Sequence, residues 1–134
     1  MAKITAIEGI GEVYGAKLME AGIKTTEQLL ARVADAKSRK ELAEALDVSP
    51  KLVLAWANRA DLFRIKGVGE EYSDLLEVAG VDTVPELAQR NAENLHKKML
   101  EVNAQKKLVR RPPSLKQVQS WVAQAKELPR VLTY

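Results

Sequence analysis

Apolar and polar positions follow a helical period along most of this chain, and glycines interrupt the pattern at matching places. The stretches "IEGIGEVYGAKLMEAGI" (7–23) and "IKGVGEEYSDLLEVAGV" (65–81) each start with a glycine pair, continue as an amphipathic segment and end in Ala-Gly before an apolar residue. A glycine in that last place suits the left-handed residue that ends a helix, and the next apolar residue folds back on the helix. Each stretch therefore predicts a turn too tight for a Cβ, followed by one helix. The glycines of the two turns are Gly9, Gly11, Gly67 and Gly69. We call the turn with Gly9 and Gly11 the first hairpin, and the turn with Gly67 and Gly69 the second hairpin.

Capping signals predict the remaining helices of the first half. Thr25 and Gln28 have the spacing of a capping box. A further helix is predicted over Arg39–Leu46. In the turn "DVSP" that follows, Ser49 is a suitable N-cap and the proline after it suits the first helical position, so a helix is predicted from there to about Leu62.

The second half repeats these signals with one extension. Thr83 with Glu86 again matches a capping box, and Pro85 falls in a first turn, where its missing N–H does no harm. A helix is predicted over residues 93–108, after which the prolines of "VRRPPS" predict an extended loop, and "SLKQ" matches a third capping box. No segment has a period of two with β-branched enrichment, so no strand is predicted.

The two halves are copies of one unit. Residues 7–30 align with the residues 58 positions later with ten identities in 24, and "SPKLVLAWANRA" aligns with "SLKQVQSWVAQA" at an offset of 65. We therefore predict two units, residues 1–64 and 65–134, related by an internal duplication. Because a unit of this size buries only a marginal core alone, we expect the two to pack into one body.

The glycine turn followed by an amphipathic helix resembles the helix-hairpin-helix motif. Over its full length the chain resembles an uncharacterised bacterial family of tandem helix-hairpin-helix proteins, domain of unknown function 4332. The resemblance implies an all-α fold of two tandem helix-hairpin-helix units of the SAM-like, five-helix type. It also implies binding of the nucleic-acid backbone without sequence reading, in which helix N-terminal amides donate to a phosphate. Those amides would belong to Gly11 and Glu12, and to Gly69 and Glu70.

Acidic residues after the glycines oppose that implication. Glu12 follows the first glycine pair, whereas Glu70, Glu71 and Asp74 follow the second. A carboxylate there stabilises its own helix by roughly 0.3–1 kcal/mol through the dipole. It also repels a phosphate, at about 1 kcal/mol per close pair in water. Phosphate binding is therefore expected less at the second hairpin than at the first, where Lys17 balances the acid, and a purely structural role of the glycines stays open at both.

Charge is unevenly distributed although the net charge is only +3. From residue 66 to residue 93 seven acids face two bases, and from residue 96 to residue 116 seven bases face one acid. Clustered bases gain affinity for polyanions by releasing counterions, so the basic run is the leading candidate for nucleic-acid contact. Alternatively, the basic run is a solvated helix face and loop, or it pairs with the acidic second hairpin of the same or another copy. The candidate nucleic-acid-binding residues are Lys97, Lys98, Lys106, Lys107, Arg110 and Arg111, with Gly9, Gly11 and Lys17 from the first hairpin.

Aromatic residues repeat in the two copies. Trp56 and Trp121 occupy equivalent places on apolar helix stripes, so we predict core packing rather than stacking on bases. Tyr14 and Tyr72 also repeat, and we expect them to pack with their hydroxyl groups at the rim. His96 has no second metal ligand near it in the sequence and is predicted to lie on the surface.

Composition argues against several kinds of site. With no cysteine and one histidine, neither a disulfide framework nor a metal cluster is expected, and no cofactor is indicated. No phosphate loop or nucleophile elbow indicates an enzyme or a small-molecule substrate. No apolar run is long enough to span a membrane, and a cytoplasmic protein is expected. Two functions stay open: a sequence-independent nucleic-acid binder, and a protein interaction module that associates with itself or with another protein.

Overall fold

The computed structural model describes residues 3–7 and 9–134. Within those ranges the regular structure is helical and no strand is formed, since Lys3 and Thr25 make only an isolated antiparallel bridge. The prediction of an all-α fold is confirmed. After a short 3-10 helix (Ile4–Ala6), the α-helices in chain order are α1 (Glu12–Glu20), α2 (Thr26–Arg32), α3 (Ala36–Leu46), α4 (Pro50–Leu62), α5 (Glu70–Val78), α6 (Val84–Ala88), α7 (Ala92–Lys106) and α8 (Leu115–Glu127).

The chain divides into two compact units. The first consists of Met1–Asp61 together with Arg130–Tyr134, and the second of Leu62–Pro129. The division falls at the end of α4, between Asp61 and Leu62. The residues after Pro129 belong to the first unit, although the repeat pattern counts them with the second.

Local bonds at helix ends define α1 and α2 of the first unit. α1 ends in a Schellman arrangement, in which Gly22 has a φ of +86° and the amide of Ile23 donates to Leu18 O at 2.8 Å. At the start of α2, Thr25 and Gln28 form both bonds of the predicted capping box. These ends depend on neighbouring residues alone, which is why the sequence predicts them.

The third helix begins earlier than the sequence predicts. It starts at Ala36 rather than Arg39, because Asp35 is its N-cap and accepts from Ser38 N at 2.7 Å. That bond is also the main cause that lowers the pKa of the Asp35 carboxyl below its ordinary value of 3.8. α4 starts as predicted, after Ser49, whose Oγ accepts from the amide three residues on at 3.2 Å.

The helices of the first unit bury their apolar faces together. The 3-10 helix contributes Ile4, which is fully buried, and each α-helix of the unit contributes at least one buried apolar side chain. The largest of these are Leu18, Leu29, Leu42 and Trp56. Burial of a leucine-sized side chain is worth about 1.5–3 kcal/mol, so each of these residues contributes substantially to the stability of the unit.

The second unit repeats the helix ends of the first. α5 ends with Gly80 at a φ of +98° and with Val81 N bonded to Leu76 O at 2.9 Å. Thr83 then begins α6, its hydroxyl accepting from Glu86 N at 3.5 Å. The prediction of a capping box is wrong here in one respect, because Glu86 does not return the second bond that Gln28 makes at the start of α2. The turns after α1 and α5 therefore share one backbone hydrogen bond, which runs from the residue after the left-handed glycine to the leucine five positions earlier.

The long helix of the second unit ends before the predicted Leu108. It ends at Lys106, because Lys107 takes a left-handed conformation with a φ of +50°. The "VRRPPS" loop that follows is non-helical, as its prolines predict. Ser114 and Gln117 form both bonds of the predicted capping box and begin α8.

One hydrophobic cluster forms the core of the second unit. α8 packs against α6 and α7, and α5 packs against α7. The cluster begins at Leu62 and ends at Ala125, so it draws on every helix from α5 to α8. Its largest fully buried members are Leu62, Ile65, Leu75, Leu76, Leu87 and Trp121.

Candidate functional site

Each hairpin turns at a glycine with a left-handed backbone. Gly9 has a φ of +91° and Gly67 a φ of +94°, a region that other residues adopt only with strain. The second glycine of each pair differs, because Gly11 and Gly69 have φ values of −86° and −111°. A Cβ built on either would meet no atom within 4 Å. The prediction of a turn too tight for a Cβ is therefore wrong at Gly11 and Gly69.

Two side chains of α8 hold the second hairpin in place. A Cβ on Gly67 would lie 3.0 Å from the indole nitrogen of Trp121, so the backbone packs directly on the ring. Gln124 binds both backbone groups of Lys66: its Oε1 accepts from Lys66 N at 2.8 Å, and its Nε2 donates to Lys66 O at 3.2 Å. The position of this hairpin is therefore fixed by the helix that packs beneath it.

The helices after both turns begin without a side-chain cap. Gly11 is the N-cap of α1 and Gly69 that of α5, and neither can accept from a first-turn amide. Both glycines are exposed. Glu12 lies in the first turn of α1, and Glu70 and Glu71 lie in the first turn of α5. Each hairpin thus offers helix N-terminal amides in the company of carboxylates.

A buried asparagine fixes the start of the basic loop. Asn103 is only 9% exposed, and its side chain binds both backbone groups of Val109. Val109 N donates to Asn103 Oδ1 at 2.9 Å, and Asn103 Nδ2 donates to Val109 O at 3.2 Å. Because Val109 is buried as well, these bonds satisfy backbone groups that water does not reach. The loop therefore leaves α7 in a defined direction.

Two further bonds fix the rest of the loop. The hydroxyl of Tyr72 donates to Arg111 O at 2.9 Å. His96 Nε2 lies 3.0 Å from Pro113 O, and the ring is half-buried. His96 is therefore not the purely surface residue that the sequence predicts, because it bonds the loop to α7. The backbone around Arg110 and Arg111 is held on both sides.

The fixed loop and the second hairpin enclose an open cleft of about 410 Å³. On one side lie the hairpin glycines and the first turn of α5, and on the other lie two arginines of the loop. The sequence assigns these arginines to the basic run and the hairpin to an acidic segment, and the structure brings them together. The residues around the cleft are Gly67, Gly69, Glu70, Glu71, Tyr72, Arg110 and Arg111.

The predicted basic residues of α7 do not form one row. Lys97, Lys98 and Lys106 are all exposed. With about 3.6 residues per turn, the nine positions between Lys97 and Lys106 place them on opposite sides of the helix. His96, which marks the side bonded to the loop, is about 200° from the position two residues later, so Lys98 points away from the loop. Only part of the basic run can therefore act together with the cleft.

Lys17 lies away from the glycine turn of the first hairpin. Its Nζ is 3.5 Å from Leu46 O at the end of α3 and 6.0 Å from the centre of the Tyr14 ring. A cation near the carbonyls that end a helix stabilises that helix. Lys17 also borders a second cleft of about 410 Å³, together with Glu20 and Asp47. The structure does not bring Lys17 to the amides of Gly11 and Glu12.

The repeated aromatic residues pack as pairs. Trp56 and Trp121 are 1% and 2% exposed, so the prediction of core packing is confirmed. Tyr14 lies 5.3 Å from Trp56 between ring centres, and Tyr72 lies 5.2 Å from Trp121, both in tilted arrangements. Both tyrosines are half-buried, in agreement with the predicted position at the rim. The burial of the two tryptophans leaves neither of them available for base stacking.

Comparison with known proteins identifies the family. The sequence profile of the family described as Domain of unknown function (DUF4332) matches residues 8–128. The chain belongs to this family. No solved structure matches the chain.

Neither a metal-binding cluster nor a membrane-spanning helix is found in the described part of this DUF4332 chain. Among residues 3–7 and 9–134, no group of three or more histidine, cysteine, aspartate or glutamate residues is arranged to hold a metal ion. Within the same residues, none of the helices combines the length and the apolar character needed to cross a membrane.

The sequence misses the residues that build this cleft. Gln124 and the hydroxyl of Tyr72 bond to backbone 58 and 39 positions away, and Asn103 bonds to backbone six positions away. The repeat pattern predicts the position of Tyr72 but not its partner, and no motif indicates the roles of Asn103 and Gln124. The loop prolines were the one available signal, because they predict a fixed, extended segment after α7.

Proposed function

We propose that this protein is a non-enzymatic module that binds the nucleic-acid backbone weakly and without reading sequence, through the cleft at the second hairpin. The observation that supports this is the position of Arg110 and Arg111 opposite the uncapped start of α5. In this proposal the two copies are tandem helix-hairpin-helix units. The glycine turns at Gly9 and Gly67 and the repeated helix ends support that assignment.

The chemistry of the cleft suits a phosphate. First-turn amides donate to an anion and the helix dipole adds to the attraction. Arginine presents a planar fork of donors that matches phosphate oxygens in pairs. With the loop backbone already fixed by Asn103 and Tyr72, less conformational freedom is lost when Arg110 and Arg111 bind. Lys107, the C-cap residue of α7, would add long-range attraction.

The two carboxylates of the cleft limit its affinity. Glu70 and Glu71 balance the charges of Arg110 and Arg111, so the cleft itself carries no net positive charge. Each close carboxylate–phosphate pair costs about 1 kcal/mol in water. The proposal therefore expects weak binding that weakens further with salt.

A salt-dependent titration tests the proposal. Labelled duplex and single-stranded DNA are titrated with the chain at about 50 mM and about 200 mM salt. The double substitution Arg110→Gln/Arg111→Gln should lower the salt slope by about 2, since each neutralised phosphate of a duplex contributes about 0.9. The control Lys37→Gln/Lys40→Gln removes the same charge from exposed positions of α3 and should change the slope less. Absence of binding at the lower salt, or equal effects of the two variants, would reject the proposal.

A second candidate function is a protein interaction module, and the same two glutamates favour it. A cleft with two acids and two bases can pair with a protein surface of mixed charge, including a second copy of the chain. The double substitution Glu70→Gln/Glu71→Gln separates the two functions. It should strengthen DNA binding if phosphate is the ligand, because two repelling charges are removed. It should weaken self-association, measured by light scattering at low salt, if the cleft binds protein.

A further inference from the structure

A short extended segment docks on the first unit by backbone recognition. The segment is "RVLTY", residues 130–134, which we call the RVLTY segment. Thr133 N donates to Ala34 O at 2.8 Å, and the guanidinium of Arg39 donates to Thr133 O at 2.5 Å. The Thr133 hydroxyl lies 3.4 Å from the same Ala34 oxygen. The bonds of Thr133 N and Thr133 O use only main-chain groups of the segment, so they would form with an extended peptide whatever its side chains.

Arg39 gives the docking surface a specific requirement. It is only 4% exposed, and its guanidinium also donates to Val33 O at 3.0 Å and to Ala34 O at 3.1 Å. A buried guanidinium needs acceptors for its donors, since leaving them unpaired is costly. Thr133 O is one of these acceptors and comes from the RVLTY segment. The docking surface is therefore completed by the carbonyl of an extended chain.

Two side chains of the segment add specificity. Leu132 is 2% exposed, so it is buried almost completely when the segment docks. The Tyr134 ring lies 5.5 Å from the Arg39 guanidinium and 6.0 Å from that of Arg130. Its hydroxyl donates to Asn58 Oδ1 at 3.3 Å. The surface thus selects an apolar residue followed, two positions later, by an aromatic residue.

The RVLTY segment is separable from the rest of the chain. It follows Leu128, which has extended dihedrals, and Pro129, whose carbonyl accepts from Arg64 at 2.7 Å. It contains no helix and belongs to a different unit from the helix that leads into it. Short segments without secondary structure open at lower free energy than helices in a core.

We propose that this surface, formed by Ala34, Arg39 and Asn58, is an interaction site for the RVLTY segment of a second copy of the chain. Two copies would then associate by reciprocal exchange of the segment. Every bond that the RVLTY segment makes to the docking surface of its own chain can also form with the docking surface of a second chain. Exchange therefore requires no new complementary surface. At low protein concentration the monomer is favoured, because the segment is tethered to its own chain. The population of the exchanged dimer increases as the protein concentration rises.

Light scattering over a range of concentrations tests the exchange. The nuclease-treated full chain is measured at about 1 M salt, where a Debye length of about 3 Å suppresses association between charged surfaces. A dimer fraction that rises with concentration is expected. An excess of synthetic peptide 128–134 should return the dimer to monomer, whereas the same peptide with Leu132→Asp should not. A monomer at every concentration, or a dimer that the peptide leaves unchanged, overturns the proposal.

A peptide titration tests the docking surface directly. The chain truncated after Pro129 retains the surface without its segment, and circular dichroism shows whether it stays folded. Fluorescent peptide 128–134 should bind it saturably, and Leu132→Asp should weaken binding at least tenfold. The full chain is the matched control and should bind the peptide far less, because its surface is occupied. Equal binding to both chains, or none by a folded truncated chain, overturns the proposal; if the truncated chain unfolds, the light-scattering result decides.

Discussion

Gly67 and Gly69 lie two positions apart in the second hairpin, but only Gly67 has a backbone that disfavours a side chain. Gly67→Ala would force alanine to a φ of +94° and push a Cβ to 3.0 Å from Trp121 Nε1. The left-handed conformation alone costs roughly 1–2 kcal/mol, so we expect a loss of about 2 kcal/mol or more in urea unfolding. Gly69→Ala is the control and should cost less than about 1 kcal/mol as an N-cap change. Equal losses would contradict the distinction.

Asn103 provides a second prediction for a single residue. Asn103→Ala leaves the N–H and C=O of buried Val109 without their partners, and each unsatisfied group costs about 1–3 kcal/mol. We expect the free energy of unfolding to fall by about 2 kcal/mol or more. Asn94→Ala, at an exposed position of the same helix, should stay within about 0.5 kcal/mol. A similar result for both would mean that the loop finds other partners.

Residues could be predicted from the sequence where their partners are neighbours along the chain. Thr25 and Ser114 were predicted because a capping box joins residues three positions apart. The roles of Asn103 and Arg39 could not be predicted, because no sequence motif indicates a bond from their side chains to backbone five or six positions away, or to Thr133. Buried polar residues of this kind look like ordinary surface residues in a pattern of hydrophobic positions.

At the scale of elements, the start of α3 gives a prediction for pH. Asp35 accepts from Ser38 N, and this bond lowers the pKa of its carboxyl below 3.8. A lowered folded-state pKa means that the contribution is present above 3.8 and is lost as pH falls through the folded-state value. The variant Asp35→Asn keeps a capping oxygen without a titrating group. The stability of the native chain should therefore fall relative to Asp35→Asn as pH decreases below 3.8, in urea unfolding at several pH values. A difference that does not change with pH would contradict this.

The cleft at the second hairpin also belongs to the scale of elements. The sequence predicts the hairpin, the loop and their opposite charges, because each follows from a local pattern. It could not predict that the loop lies beside the hairpin, because that placement depends on the packing of α7 and α8 and on the hydroxyl of Tyr72. Opposite charges in separate segments are compatible with many arrangements. The sequence therefore predicts the hairpin and the basic loop separately, and their proximity becomes visible only in the folded structure.

At the scale of the whole molecule, the repeat pattern of the sequence predicts two units, and it does not predict the position of the RVLTY segment. The repeated motifs extend from residue 7 to residue 125, and the segment lies beyond them. No copy of it exists at the end of the first repeat, so no internal comparison could indicate its partner. Its position in the first unit depends on Arg39, whose guanidinium donates to Thr133 O.

The hydrophobic cluster that runs from Leu62 to Ala125 leads to a prediction about folding of the second unit. All members of this cluster lie within residues 62–129, so that fragment contains its own core. A domain of this size is marginal but can fold alone, and we expect helical circular dichroism and a sigmoidal urea transition from the fragment. Leu75→Asp, which places a charge at a fully buried position, should abolish the transition. If the fragment 62–129 does not unfold cooperatively, its core depends on the rest of the chain.

The fragment 1–61 lacks the RVLTY segment, whose Thr133 carbonyl accepts from Arg39 in the full chain. We expect the helices of this fragment to unfold at a lower urea concentration than α1–α4 unfold in the full chain, as measured by hydrogen exchange.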